Sequence, residues 1–330
     1  MAINIVTDSG SDLPQDIAKD LGISIVPLYV HFGPVSYRDG VDMQPGEFFK
    51  RLESGPVHPT TSSASPGDFA QVYEKLGQDS EGIISVHLSS KVSATYNAAL
   101  QGKELVSNKK CPIEVVDSRL VTIPLALVAM AAARAASAGK NMDEIRDYIN
   151  RLIPAVRAYG ILDTLKYIVK GGRLSRASGI VGSLLPIRPI LTIKDGMVTP
   201  VGASRTRSGA ITGLLDRLKS ISNNVEAVGI AHSSPDEEVA SFVDRLKAFL
   251  PDIKPTIAKL GPAIGTHGGP GTILVAMQQD ITRIEVDADT GRRKFGSLPS
   301  MQSIKDGILQ RKQKDANLFT PGISSLQFNR

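Results

Sequence analysis

Short apolar runs alternate along the chain with longer stretches whose apolar residues recur at helical spacing. Runs short enough for buried strands fall at residues 3–6, 23–29, 83–86, 113–116, 158–162, 189–193, 227–231 and 273–277. Between them, residues 45–52, 67–76, 98–106, 142–152, 211–218 and 237–250 carry one apolar face each and are predicted as amphipathic helices. Residues 120–133 are apolar almost throughout, contain Pro124 and stop at Arg134. That stretch is too short to span a bilayer and reads as a buried helix. The alternation predicts an α/β fold with largely parallel sheets flanked by helices. A boundary is expected near Pro154, giving an N-terminal domain at 1–155 and a C-terminal domain at 156–280, with residues 281–330 as an extension.

Composition narrows the function classes. The 330 residues are 42% hydrophobic and 22% charged, ordinary for a globular protein. Net charge is +5, yet residues 281–330 hold nine Lys or Arg against five Asp or Glu, and the rest of the chain holds 29 against 28. The nearly neutral body lacks the basic, aromatic-interleaved pattern of a nucleic-acid binder, so no nucleic acid is expected as partner. The basic extension is either a solvated segment or a point of transient contact with an anionic membrane surface. Within it, Asp287-Asp289-Gly291 lacks the closing glutamate of a calcium loop and is expected to form a hairpin turn. Cys111 is alone, which excludes an internal disulfide and suggests a structural thiol. The N-terminus goes straight into a strand-like run without the features of a signal peptide, and a cytoplasmic location is expected.

Three segments have chemistry to offer. Gly265-Thr266-His267-Gly268-Gly269-Pro270-Gly271 is too rich in glycine and proline for a helix and is expected to be a loop, either a plain turn or one shaped around a ligand. Residues 59–66 and 89–96 are hydroxyl-rich and run into helical patterns. Ser65 before Pro66 reads as an N-cap. Ser93 falls after an apolar strand and near a helix start, where free N–H groups and the helix dipole favour an anion.

The order of these pieces resembles the DegV family, which includes the fatty-acid-binding subunit of the bacterial fatty-acid kinase system. The resemblance covers roughly residues 2 to 280. It rests on Val6-Thr7-Asp8-Ser9-Gly10-Ser11-Asp12-Leu13-Pro14, Arg38-Asp39-Gly40-Val41, residues 59–65, 88–96 and 116–118, the stretch from Asp163 to Ser175 with its Lys170-Gly171-Gly172-Arg173, then Arg188-Pro189-Ile190-Leu191 and Thr266-His267. It implies two α/β domains with a long-chain fatty acid between them, no cofactor or metal, and a separate kinase subunit as partner. Carried onto this chain, it implies that Thr61, Ser62, Ser93, Thr95, Thr266 and His267 surround the carboxylate. Arg173 either lies near that head group or supports the loop that covers it, or makes an ordinary salt bridge. Arg205 and Arg207 either dock the kinase or belong to a solvated helix start. A rival reading is a hydrolase or acyltransferase acting on a lipid ester, with Ser93 as nucleophile and His267 as base. No Gly-x-Ser-x-Gly elbow, His-Glu-x-x-His or Walker A sequence supports it.

Overall fold

In the computed structural model, residues 2–107, 109–174 and 187–282 are described. They fall in one compact unit, Met1–Arg283. Residues 283–330, which make up nearly all of the extension and hold its expected turn at 287–291, and Ser175 of the long motif lie outside the described residues.

The first half of the chain gives β1 (Ala2–Asp8), a 3-10 turn at Ser9–Ser11, α1 (Gln15–Leu21), β2 (Ile23–Val26), β3 (Tyr29–Phe32), β4 (Val35–Arg38), α2 (Pro45–Ser54), β5 (Thr60–Ser62), α3 (Pro66–Leu76), β6 (Ser80–His87), α4 (Thr95–Leu105), β7 (Ile113–Asp117), α5 (Ile123–Ser137) and α6 (Met142–Leu152). The second half gives β8 (Val156–Ile161), α7 (Lys166–Lys170), β9 (Arg188–Lys194), β10 (Met197–Ser204), α8 (Arg207–Ser220), β11 (Val225–His232), α9 (Asp236–Lys247), β12 (Thr256–Lys259), α10 (Pro262–Gly268) and β13 (Ile273–Gln279).

Local chemistry explains several of these boundaries. Ser65 accepts from the Asp68 N–H while Asp68 accepts from the Ser65 N–H, a reciprocal cap that starts α3 where expected. Asn141 and Glu144 do the same for α6. The predicted strand at 23–29 is divided in the structure. β2 stops at Val26, and the chain re-enters at Tyr29 as β3 of another sheet.

Four strands in the order β2-β1-β6-β7 form a wholly parallel sheet. Alternation sends Ile5 and Ile84 to one face with α5, and Val6 and Ile83 to the other with Phe69 and Tyr73 of α3. The second sheet, β10-β9-β8-β13-β11-β12, is mostly antiparallel, its one parallel pair being β11 with β12. The expected parallel character therefore holds for the first sheet, while in the second β13 runs opposite to β8 and β11 between them and β9 runs opposite to both β8 and β10. A small antiparallel sheet, β4-β3-β5, completes the set.

The predicted apolar helix is α5, which continues past Arg134 to Ser137 and is buried along nearly its whole length. It packs on β1 and β6 of the parallel sheet and on β8, β11 and β13 of the larger one. A helix apolar on all sides needs such cover on all sides. Cys111 is buried and unpaired, as its surroundings suggest. No helix among the described residues is long and apolar enough to cross a membrane.

Candidate functional site

Beyond the carboxyl ends of the parallel strands lies a cavity of about 340 Å³. That edge is where open α/β sheets commonly take ligands. One wall comes from the segments following β2 and β6 (Leu28, Leu88, Val92), the opposite wall from β8, β9 and β10 (Leu191, Ile193, Val198) and from Leu274 of β13. Polar side chains concentrate where β5, the start of α4 and the end of α10 converge: Thr61, Ser62, Ser63, Ser93 and His267, with Arg173 beside them.

His267 organises this end. Its Nε2 lies 3.0 Å from Thr61 Oγ1, and its buried Nδ1 has no partner. Burial, then the Arg173 guanidinium and His58, hold its pKa down to about 4, so the ring is neutral at physiological pH. With the proton on Nε2, the ring donates to the Thr61 oxygen and leaves the Thr61 hydrogen free to donate into the cavity. Ser93 is arranged similarly. Its Oγ accepts from the Thr95 N–H at 3.3 Å and lies 2.7 Å from Thr95 Oγ1, so with Thr95 donating, the Ser93 hydrogen is available.

The expected loop at 265–271 is a correction: residues 262–268 form α10. Its close packing supplies what composition lacks, since a Cβ on Gly265 would meet Phe48 and Phe49 at 2.8 Å. Thr266, on the same helix, donates to Pro262 O at 2.9 Å, is 1% exposed and stays off the cavity wall. Thr95 is likewise buried and reaches the site only through Ser93. The structure thus brings Thr61, Ser62, Ser93, His267 and Arg173 together and turns Thr95 and Thr266 inward.

Arg173 donates to Val92 O at 3.3 Å and to Gly171 O. No carboxylate among the described residues pairs with it. Arg207 is occupied otherwise than expected. It donates to both carboxylate oxygens of Glu238 at 2.9 and 2.7 Å, to Asp163 at 3.1 Å, to the Ser234 hydroxyl and to Gly271 O. So engaged, it is a tie between α8, α9 and the segment before β13, and it has no donor left for a partner. Arg205 is exposed, and its carbonyl accepts from Arg188.

Two residues of the site escaped the sequence reading. Ser63 lines the cavity one position beyond the strand, and His31 of β3 holds Ser62 Oγ at 3.0 Å through Nε2. β3 opposite β5 in the small sheet is what brings His31 there, and no local motif marks that pairing. A second surprise bears on hydrolysis. Asp8, His87 and Ser85 form a Ser-His-Asp relay, with His87 Nδ1 2.9 Å from Asp8 and Nε2 2.6 Å from Ser85, but all three are 0% exposed and Tyr73 donates to the serine. A sealed serine cannot meet a substrate. Ser93 and His267, for their part, are bonded to Thr95 and Thr61 and not to each other.

The sequence profile of the DegV family of uncharacterised proteins matches residues 2–280. The chain belongs to the DegV family. A DegV domain-containing protein of Caldanaerobacter subterraneus subsp. tengcongensis is 37% identical over 270 residues, spanning 81% of this chain and 95% of that one. Among solved DegV structures, the fatty-acid-binding DegV of Bacillus subtilis superposes with a TM-score of 0.78 at 29% identity, covering 85% of this chain and all of that one. A stearic-acid-binding protein from Eubacterium ventriosum gives 0.78 at 25% identity, covering 84% and 98%. The mixed α/β fold with its helix-flanked parallel sheet is therefore a DegV fold.

Proposed function

We propose that this chain is a fatty-acid carrier that buries an acyl chain in the cavity and presents the carboxylate to a separate kinase in the cytoplasm. The observation that carries the reading is one largely apolar cavity on which Thr61, Ser62, Ser63, Ser93, His267 and Arg173 converge, while the Thr122, Thr192 and Thr272 hydroxyls that also line it donate to other protein groups. Structural relatives that bind fatty acids, one of them stearic acid, support the choice of ligand. The ligand would lie between an N-terminal domain at 1–155 and a C-terminal domain at 156–280, since residues of both line the cavity.

Energetics favour this division of labour. Each buried methylene contributes about 0.8 kcal/mol, so a long chain supplies on the order of 10 kcal/mol before binding costs. The head group needs only enough donors to keep a carboxylate from being buried unpaired. Thr61, Ser93 and neutral His267 are donors of that kind. Arg173, held by bonds from Nε and Nη1 to two carbonyls, adds positive potential at this end of the cavity. In the partner's active site, a carboxylate oxygen would attack the terminal phosphorus of a nucleotide. The new C–O–P bond would form as the bond to the departing nucleoside diphosphate breaks. The acyl phosphate would then feed phospholipid synthesis.

The purified chain, given ATP, magnesium and palmitate, is expected to bind palmitate and to make no acyl phosphate and no ADP. It is also expected to hold its ligand noncovalently when offered an activated ester. Nucleotide hydrolysis abolished in His267→Ala, or stoichiometric acylation of Ser93, would overturn the carrier reading in favour of an enzyme.

A further inference from the structure

The helix that carries His267 has little reason to be helical by itself. α10 is seven residues long and contains Gly265 and Gly268, too short and too glycine-rich to persist without outside support. Two acids from distant parts of the chain meet at its start. Asp12 Oδ1 accepts from the Gly261 N–H at 2.7 Å, and its Oδ2 accepts from the Thr122 hydroxyl at 2.5 Å. Asp39 Oδ2 accepts from the Ser9 hydroxyl at 2.7 Å. Its Oδ1 is buried without a hydrogen-bond partner of normal geometry, although the Ala263 N–H in the first turn of α10 favours the ionised form. A Cβ on Gly261 would lie 3.0 Å from Asp39 Oδ1 and 3.1 Å from Asp12 Oδ1, so both carboxylates press on this one glycine.

Asp12 is 7% exposed and Asp39 3%. The charged groups that act on them are acids alone: Asp8 of β1 faces both, and Asp39 faces Asp12. Asp8 is itself held by His87 and by the N–H groups of Gly10 and Leu88. From α5 only the neutral Thr122 reaches the pair, and from α10 only backbone N–H groups. Burial first, and neighbouring acids after it, push both carboxyls up, Asp39 to about 7.

We propose that Asp12 and Asp39 are positioning residues for the head-group histidine: by holding the first turn of α10 they set His267 against Thr61, and ligand affinity inherits a proton dependence from the pair. The inference rests on the fatty-acid reading for its ligand but not for its geometry. With α10 docked, Asp39 sits in a dry site that favours its neutral form; with α10 released, it returns to water and to an ordinary carboxylate pKa. Docking therefore takes up a proton between those two values. Asp39's share of the docking free energy is strongest at the acid end, weakens as pH rises towards 7, and is level above that. Release of α10 also returns the His267 ring to water, so it opposes Asp39 between about 4 and 6.5, equally in wild type and Asp39→Asn, and cancels in their comparison.

Asp39→Asn keeps the shape and loses the proton. Palmitate dissociation constants measured from pH 5 to 8 for both proteins are expected to diverge, the wild type losing affinity relative to Asp39→Asn severalfold, with a limit of about tenfold per pH unit. The ratio should be constant above about pH 7. Hydrogen exchange of the α10 amides in the ligand-free protein should show the same relative dependence. That arm uses no lipid, so a failure of the fatty-acid reading would silence the first measurement and leave the second intact. Ser9→Ala, which removes a donor to the ionised Asp39, should move the onset of the plateau to higher pH and carries the test if Asp39→Asn does not fold. Parallel profiles for wild type and Asp39→Asn in the exchange measurement, or an unmoved plateau in Ser9→Ala, would overturn the proposal.

Discussion

Gly171→Ala probes the head-group network without removing any polar group. Gly171 ends α7 with φ −74°, a conformation alanine adopts freely, so backbone strain does not account for a glycine there. A side chain at that position does matter. Its Cβ would lie 2.0 Å from His267 Nδ1 and 2.8 Å from Cε1, against about 3.4 Å for ordinary contact, so the imidazole must retreat by about 1.4 Å. A ring displacement of that size disturbs the 3.0 Å contact between His267 Nε2 and Thr61 Oγ1. Losing a hydrogen bond and leaving a buried partner unsatisfied costs about 1–3 kcal/mol, or roughly fivefold to hundredfold in affinity. Titration calorimetry with palmitate reads this directly. Gly172→Ala is the matched control: with φ +69° and nothing within 4 Å, it strains the backbone by about 1 kcal/mol and should lower the melting temperature while leaving affinity alone. Wild-type affinity in Gly171→Ala, with histidine NMR signals confirming that the ring has moved, would refute the claim that His267 and Thr61 act together on the ligand.

Other expectations follow from the same geometry. Ser93→Ala should fold normally and bind palmitate about tenfold to hundredfold more weakly, since a bond to a charged group is worth about 1.5–3 kcal/mol; unchanged affinity would make Ser93 a helix cap only. Because the folded state holds His267 at about 4 against an ordinary 6.5, the fold binds fewer protons than the unfolded chain in that interval. Its contribution to stability is complete above pH 6.5 and lost as pH falls towards 4, so wild type and His267→Gln should show converging melting curves on acidification, and parallel ones would contradict the assignment of a neutral ring. Arg207→Ala leaves Glu238 without its cation and Asp163 with Arg188 alone, and should destabilise the fold by on the order of 2 kcal/mol, with palmitate affinity nearly unchanged, a result that thermal melts and the same titration check together.

The sequence was informative where local pattern and tertiary role agree. The apolar runs of β1, β6 and β7 are the buried strands of a parallel sheet, and Ser65 begins α3 because its side chain, Pro66 and Asp68 all favour a start there. Thr61, Ser62, Ser93 and His267 were legible from motif order, and the fold brings them to one end of the cavity. The failures have physical causes. α10 looked like a loop because glycine content says nothing about Phe48 and Phe49 packing against it or about acids more than two hundred residues away at its start. Thr95 and Thr266 stand close in sequence to Ser93 and His267, yet Thr95 begins α4 with its side chain buried, and one step along α10 separates the buried Thr266 from His267 at the cavity. The weakly apolar β10 was missed altogether; it is an edge strand with a register shift beside Pro200, where the ladder tolerates a residue without an N–H.

The carrier reading is tested most directly by native mass spectrometry of the full chain purified from its expression host. The account predicts an adduct whose mass matches one long-chain fatty acid per chain, exchangeable for added palmitate and weakened in Ser93→Ala. A protein that arrives without lipid and takes up neither palmitate nor oleate would contradict it.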